Sequence, residues 1–241
     1  MRSSRKIWQG MVAAIAVAVG LAAAPKALAQ GVDRWAYPPD TNVAGMTYGD
    51  WSAAWWQWVL SIPTAQNPLM DTSGANCTQA QGTGPVFFLA GSFVGPVTRA
   101  CTVPAGKAIV FPVINVECSS LEDPPFFGDD EAKLRACAGG FGDGIDPATV
   151  SVQLDQKKLK APDGYRAQSP VFGFTLPAEN VLGVDTAAKG FRGTSVGDGY
   201  WVILRALKPG AHTVHFQAAC LPGSLCEGFT QDVTYLLTVL P

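Results

Sequence analysis

A short glycine-rich segment carries the most specific catalytic pattern in this sequence. The segment "GTSVG" at 193–197 matches the G-x-S-x-G pattern that presents a nucleophilic serine in many hydrolases. Ser195 is followed by Asp198 and by a histidine at 212 or 215, which is the chain order of a hydrolase triad. The pattern requires a helix directly after the serine, whereas a strand-like apolar run follows here. We therefore interpret 193–197 as a glycine-rich loop and not as a nucleophile site.

Acidic side chains suggest a second kind of chemistry. Glu117 ends an apolar run, and it would form a carboxylate dyad of the glycosidase kind if Asp123 or Asp71 lay opposite it. The segment "EDPPFFGDDE" at 122–131 collects oxygen ligands of the type that calcium prefers, but it lacks the register of an EF-hand loop. We predict a polar residue beside a disulfide and a solvated loop, with catalysis and calcium binding as alternatives.

The segment "DWSAAWWQWVL" at 50–60 contains four of the seven tryptophans of the chain. Thr47 and Asp50 have the spacing of a capping box, and Ile62-Pro63 marks a helix end, so the sequence predicts a helix between them. At about 100° per residue, three of the tryptophans fall on one face. We predict that this face is buried against a sheet; it consists of Trp51, Trp55 and Trp58.

Trp56 lies off this face, with Leu60 one turn further along the helix. We expect the arm at 30–46, which contains Trp35, to cover this second ridge. The alternative is an exposed ridge that contacts a sugar ring or a protein partner, since aromatic anchors dominate such surfaces. The candidate binding residues are therefore Trp56, Leu60, Trp35, Glu117 and Asp123.

The first 29 residues have the pattern of a secretory signal. A basic start precedes an apolar run at 11–24, and Ala27-Leu28-Ala29 fits the small-x-small cleavage rule. The run is too short for a comfortable membrane span. Loss of the segment removes four positive charges and no acid, which changes the net charge from −2 to −6. A mildly acidic, secreted or periplasmic chain without basic runs argues against nucleic acid as a partner.

All six cysteines follow this segment, and an even number in an oxidising compartment predicts three disulfides. The sequence has no C-x-x-C pair, and His212 and His215 point to opposite faces of a predicted strand, so no metal site is predicted. We predict the sequential pairing, in which each bridge closes a loop between neighbouring elements: Cys77–Cys101, Cys118–Cys137 and Cys220–Cys226.

The rest of the chain favours strands. Apolar or alternating runs predict them at 86–93, 107–116, 149–155, 171–176, 200–207, 212–218 and 232–240. Pro112 requires a bulge or an edge position, and "KPG" at 208–210 is predicted to join two strands into a hairpin. A second helix is predicted at 130–138, capped by Asp129 and ended by Gly139-Gly140.

These elements predict an all-β fold with minor α content. We expect a disulfide-stapled β-sandwich, immunoglobulin-like or jelly-roll-like, with the tryptophan-rich helix packed on it. The predicted organisation is a signal peptide at 1–29, an extended arm at 30–46 and one β-rich domain at 47–241. A division of this domain into two lobes near 140–147 is the alternative.

Four longer phrases carry a resemblance to a known family. The phrases "YGDWSAAWWQWVLSIP", "NPLMDTSGANC", "CTVPAGKAIVFPVINVEC" and "DGYWVILRALKPGAHTVHF" are similar to those of a family of uncharacterised secreted bacterial proteins. The resemblance covers most of the chain after residue 29, and it implies export and a single β-rich unit. It implies no catalytic residue.

For function, we expect non-catalytic binding of an envelope or extracellular glycan or of a protein partner. One alternative is a hydrolase that acts on such material through carboxylates. A purely structural envelope component is the third hypothesis. Exposed aromatic side chains beside a cleft would favour binding, and two carboxylates about 5–10 Å apart in a groove would favour the glycosidase.

Overall fold

The computed structural model describes residues 33–241. The predicted signal peptide and the first residues of the predicted arm lie outside this range. The described chain folds into two mixed five-stranded sheets, which we call the first and the second sheet. The helices are α1 (Tyr48–Leu60), α2 (Glu131–Asp143) and the short α3 (Thr186–Lys189).

The first sheet is built around two long strands that pair antiparallel. Its order is β1-β3-β8-β6, and β7 also pairs with β8. The ladder between β3 and β8 shifts register between Pro112 and Ile114, which confirms the bulge predicted at the proline. The strands are β1 (Val86–Phe88), β3 (Ala108–Ser119), β6 (Arg166–Gln168), β7 (Phe172–Thr175) and β8 (Arg192–Leu204).

The second sheet has the order β2-β10-β9-β4-β5. Strands β9 and β10 form a long antiparallel pair, while β2 runs parallel to β10. Alternate residues of β4 are buried, as the alternating sequence pattern predicts. The strands are β2 (Val97–Val103), β4 (Ser151–Leu154), β5 (Lys157–Lys158), β9 (Gly210–Ala219) and β10 (Thr230–Val239).

The two sheets face each other across an aromatic core. Phe111 of the first sheet stacks on Phe216 of the second with 4.9 Å between ring centroids, and Tyr235 lies beside Phe216 at 6.4 Å. One cluster of buried apolar side chains contains residues from both sides of 140–147. The disulfide-stapled β-sandwich with a helix packed on it is confirmed.

Helix α1 begins and is oriented as predicted. Thr47 and Asp50 form the capping box, and the apolar face lies against the outer side of the first sheet. Trp55 is completely buried, and its ring meets that of Trp201 edge to face at 5.5 Å. Trp51 and Trp58 are also buried, and their indole N–H groups donate to the backbone carbonyl oxygens of Val43 and Gln79 respectively.

The described part of the arm runs along the end of β8. Ala36 bridges Leu204, and the backbone of Trp35 accepts a hydrogen bond from Arg205. The Tyr48 hydroxyl donates to the carbonyl oxygen of Tyr37. These bonds attach the arm to both the first sheet and α1.

Helix α2 differs from its prediction at both ends. Asp130, and not Asp129, caps it by accepting from the backbone N–H of Lys133. The helix passes through Gly139-Gly140 and ends at Asp143. Packing overrides the low helix propensity of glycine here, because a Cβ at Gly142 would lie within 2.8 Å of Asp198 on the sheet beneath.

Two strand predictions are wrong, and three strands were not predicted. The segment 208–210 does not form a hairpin, since β8 and β9 belong to different sheets and the turn carries the chain between them. The run at 86–93 is a strand only over Val86–Phe88, after which the chain leaves the first sheet. Strands β2, β5 and β6 were not predicted. The alternating residues of β2 include threonines and an arginine, which weaken the apolar signal, and β5 and β6 are short and polar.

The three predicted disulfides are confirmed. Cys77–Cys101, Cys118–Cys137 and Cys220–Cys226 are all formed, and none of the six cysteines is free. Three disulfides are typical of proteins from non-cytoplasmic compartments. Between residues 33 and 241, no helix is long and apolar enough to cross a membrane.

Candidate functional site

The G-x-S-x-G segment lies inside β8 and not in the predicted glycine-rich loop. Ser195 is completely buried, and its hydroxyl contacts Glu117 and the carbonyl oxygen of Cys118. Asp198 is bound by Arg166, with 2.8 Å between Nε and Oδ1. His212 and His215 pair with other acids, so no triad is assembled.

The glycine of this segment at 197 makes room for Trp56. Gly197 is the cross-strand neighbour of Glu117, so the two residues share the outer face of the first sheet. A Cβ at Gly197 would lie 2.5 Å from Nε1 of Trp56. The indole ring therefore occupies the space where a side chain of residue 197 would stand, next to the Glu117 carboxyl group.

A pocket opens beside this place, at the edge of β3. Strand β1 pairs only with Ala108–Val110, so the remainder of β3 lacks this neighbour. Three consecutive residues of that remainder line a cavity of about 420 Å³, namely Asn115, Val116 and Glu117. Most of the other lining residues are apolar: Trp56, Phe93, Phe126, Phe141, Val181, Leu182, Leu225, Cys226 and Phe229, with Glu122 and Glu227 as the additional acids.

Two disulfides brace the walls of this pocket. Cys118–Cys137 ties the end of β3 to α2, which contributes Phe141. Cys220–Cys226 closes the short loop that contributes Leu225. Leu225 is 65% exposed although it is apolar, so it forms part of the rim.

Three buried polar atoms on the walls have no hydrogen-bond partner among the described residues. They are Nε1 of Trp56, Nδ2 of Asn115 and Oε1 of Glu117. Trp56 and Glu117 are each only 3% exposed. Leaving a buried donor or acceptor unsatisfied costs free energy, so this concentration of such atoms in one pocket is unusual.

The Glu117 carboxyl group pairs with that of Glu122, and not with Asp123 or Asp71, the partners that the sequence suggested. The two groups interact as close neighbours, and Ser119 Oγ donates to Glu122 Oε2 at 2.8 Å. Burial raises the pKa of Glu117 well above its ordinary value, and the charge of Glu122 raises it further. Burial also raises the pKa of Glu122.

The two acids predicted as partners of Glu117 have other contacts. Asp123 is exposed and pairs with Lys189 at 2.6 Å, outside the pocket lining. Asp71 accepts hydrogen bonds from the backbone N–H groups of Ser73 and Asn76, which lowers its pKa. The dyads that the sequence offered as an alternative are therefore not formed, because local turns and ion pairs hold both carboxylates elsewhere.

The other candidate binding residues are separated by the fold. Leu60 is 0% exposed in the core, so the alternative of an exposed ridge formed by Trp56 and Leu60 is wrong. Trp56 is covered, and its ring lies against the backbone of β8 at Gly197. Trp35 packs against the main core and is not among the residues that line the pocket.

The acidic segment at 122–131 is largely engaged in ion pairs. Lys133 pairs with Asp129 and Asp130, and Arg135 pairs with Glu131. Over residues 33–241, no group of three or more His, Cys, Asp or Glu side chains is arranged to hold a metal ion.

Glu122 and Asn115 were missed by reasoning from the sequence. Glu122 was interpreted only as part of an acidic loop, and Asn115 is one polar residue in an apolar run. A signal was available: Asn115 and Glu117 alternate on β3, while Gly197 and Gly199 alternate on β8. Polar side chains and glycines that alternate in buried strands indicate a place where another group approaches the sheet closely, because glycine contributes no side chain of its own.

Comparisons with known proteins return only distant likenesses. No family model matches the chain, and no curated protein does. Among solved structures, the solution structure of Amebosin is 10% identical and matches 65% of this chain and 99% of its own, with a TM-score of 0.22. The cysteine protease inhibitor EhICP2 from Entamoeba histolytica is also 10% identical, over 63% and 95% of the two chains, with a TM-score of 0.22.

Proposed function

We propose that this chain is a secreted or periplasmic, non-catalytic binding protein, and that the pocket at the edge of β3 binds a small ligand with an apolar body. The observation that carries the proposal is the group of three unpartnered polar atoms on the walls of one apolar pocket. Apolar walls with a few convergent polar groups and a perturbed pKa are the usual features of a ligand site.

The character of the walls favours such a ligand over the glycan that the sequence suggested. Aromatic and aliphatic side chains form most of the lining, and a sugar would bring many hydroxyl groups that need polar partners. A ligand with one polar end satisfies the three atoms and leaves its body against Phe126, Phe141 and Leu182. A glycan or a protein at the pocket rim is the less favoured proposal.

A carboxylate-dependent hydrolase is the second candidate, and the Glu117–Glu122 pair favours it. A raised pKa suits a general acid. However, glycosidases place their two carboxyl groups about 5 Å or more apart, on either side of the scissile bond. Glu117 and Glu122 are close neighbours on the lining of one pocket, which does not match carboxyl groups placed on either side of a scissile bond.

Protein NMR with a fragment library tests the proposed binding function. Fragments of cationic, neutral and anionic character are added to ¹⁵N-labelled protein, and the indole N–H signal of Trp56 is followed. We expect some apolar fragments to shift this signal, since its N–H has no partner in the described chain. Leu182→Trp, which fills the pocket, should abolish the shift, while Leu236→Trp adds the same bulk on exposed β10 and should retain it. A library that leaves the Trp56 signal unchanged would refute the proposal.

A further inference from the structure

The titratable side chains that line the pocket are all acidic. Glu117, Glu122 and Glu227 line it, and no Lys, Arg or His is among its lining residues. The positive charge of Lys189 favours the ionised form of Glu122, but Lys189 Nζ is already paired with Asp123 at 2.6 Å. Carboxylates behind low-dielectric walls attract cations and repel anions.

The walls also suit a cation. Five aromatic rings line the pocket, and two of them, Phe126 and Phe141, are stacked with 4.7 Å between centroids. The face of an aromatic ring attracts a positive charge, and the ring of tryptophan does so most strongly. Trp56 lies beside the Glu117 carboxyl group. Aromatic walls also exclude water, which strengthens any hydrogen bond between a carboxylate and an ammonium group.

The unpartnered atoms add a second requirement. Oε1 of Glu117 requires a hydrogen-bond donor, whereas Nδ2 of Asn115 and Nε1 of Trp56 require a hydrogen-bond acceptor. Asn115 and Glu117 are two residues apart on β3, so their side chains emerge on the same face of the sheet. A ligand that satisfies all three atoms carries a donor and an acceptor a few bonds apart.

From these observations, we infer that the ligand is an apolar amine: a primary ammonium group that donates to Glu117 and Glu122, next to an oxygen acceptor, on an aromatic or branched aliphatic body. This inference rests on the proposed binding function and specifies its ligand class. Amino alcohols with an aromatic body have this chemistry.

The contacts of Ser195 indicate that ligand binding releases a proton from the Glu117 carboxyl group. Its hydroxyl has one hydrogen but contacts two oxygens, Glu117 Oε2 and the Cys118 carbonyl. If the hydroxyl donates to Cys118, a protonated Glu117 can donate to the hydroxyl. An ammonium group then takes the place of the carboxyl proton, and that proton leaves to the solvent. The neighbouring carboxyl group of Glu122 shares this titration, the charge of Lys189 acts on Glu122, and Glu227 lines the same pocket, so the release is a property of the group.

Calorimetric titration with three matched compounds tests the inference at pH 7.5. Phenylalaninol carries the ammonium and hydroxyl groups, 3-phenyl-1-propanol lacks the amine, and 3-phenylpropanoate is an anion. We expect phenylalaninol to bind about 10-fold or more tightly than the neutral alcohol, by the strength of charge-assisted hydrogen bonds. The anion should bind most weakly. Titrations in two buffers of different ionisation enthalpy, repeated at several pH values between 5 and 8, should show proton release for phenylalaninol alone.

Two variants and a control identify the carboxyl groups. Glu117→Gln and Glu122→Gln should each reduce the preference for phenylalaninol over 3-phenyl-1-propanol from about 10-fold to about 3-fold or less, because the ammonium group loses one charged partner. Glu179→Gln removes the same charge at an exposed site outside the pocket lining, and it should keep the preference. Near-ultraviolet circular dichroism verifies that each variant is folded, and Glu122→Gln provides the test if Glu117→Gln is not.

The outcomes separate this inference from the proposed function. Equal affinity for phenylalaninol and 3-phenyl-1-propanol refutes the amine class and leaves a neutral-ligand site standing. A preference that persists in a folded Glu117→Gln or Glu122→Gln variant also refutes it. Failure of all three compounds to bind refutes the inference, while the fragment screen at Trp56 decides the proposed function independently.

Discussion

Replacement of Gly197 by alanine tests how tightly the Trp56 ring is packed against β8. The new Cβ would lie 2.5 Å from Nε1 and 2.7 Å from Cδ1 of the indole. Ordinary contacts between such atoms are about 3.5 Å or longer, so one of the two elements must move by about an ångström. The ring also meets Trp55 edge to face, at 5.0 Å between centroids, which restricts its movement. We expect Gly197→Ala to lower the free energy of unfolding by about 1–3 kcal/mol, the usual cost of overpacking.

Gly173 provides the matched control. It also lies in a strand of the first sheet, but a Cβ added there would have the Gly193 carbonyl oxygen as its nearest atom at 3.9 Å, an ordinary contact. Alanine fits there, and it reduces the entropy of the unfolded chain. We therefore expect Gly173→Ala to leave stability unchanged or to raise it by up to about 1 kcal/mol.

Urea unfolding at neutral pH, followed by tryptophan fluorescence and far-ultraviolet circular dichroism, measures both changes. The disulfides stay intact, so the difference between variants reflects packing and not the cross-links. A Gly197→Ala protein within about 0.5 kcal/mol of the wild type would refute the close packing of Trp56 on β8. It would also remove the structural reason for placing that ring beside the Glu117 carboxyl group.

Three further outcomes follow from burial, chain entropy and charge. Trp55→Ala should lower the free energy of unfolding in urea by about 3–5 kcal/mol, as for other buried aromatic residues, and a loss below about 1 kcal/mol would contradict its core position. Replacing Cys220 and Cys226 by alanine should cost about 2 kcal/mol, less than the roughly 3.5 kcal/mol for the bridge that spans 24 residues; the reverse order in thermal unfolding would contradict the chain-entropy estimate. Because the pKa of Glu117 is raised in the folded state, the folded chain binds its proton more tightly, so stability should fall as pH rises above the ordinary value of 4.5. Glu117→Gln should lose less stability between pH 5 and 8, and parallel pH profiles for the two proteins would contradict this.

Features that depend on neighbouring residues were predictable from the sequence. The capping box at Thr47 and Asp50 and the spacing of the tryptophans specify α1 within one stretch of chain. The disulfides each join residues separated by 24 positions or fewer, so the sequential pairing also has a local basis. The bulge at Pro112 follows from the missing N–H of proline.

Features that depend on pairing between distant segments were not predictable in the same way. The residues Lys208-Pro209-Gly210 indicate a change of chain direction, but they do not determine whether the next strand joins the same sheet or the other one. The pocket depends on the register of β3 against β8, which brings Glu117 opposite Gly197 although the two are far apart in the chain. The end of α2 depends on Asp198, which lies beneath Gly142 and is also distant in sequence.

The distribution of unpartnered polar atoms separates a structural role from a binding role. Arg99 is buried in the sandwich and leaves one nitrogen without a partner, but its other donors bind backbone carbonyl oxygens and the Tyr235 hydroxyl. Trp201 has an unpartnered indole nitrogen and does not line the pocket. Such isolated atoms carry a tolerable cost in a core that buries much apolar surface.

The three atoms at the edge of β3 differ because they share one cavity. An apolar residue at position 117 would suit a buried strand better than a carboxyl group, and a leucine at 56 would bury no donor. Local folding preferences are thus violated twice at the same place, on elements that are distant in sequence. Violations that converge on a cavity are expected where a ligand supplies the missing partners. The pocket beside Trp56 is therefore the place where a bound ligand should raise the stability of the protein most directly.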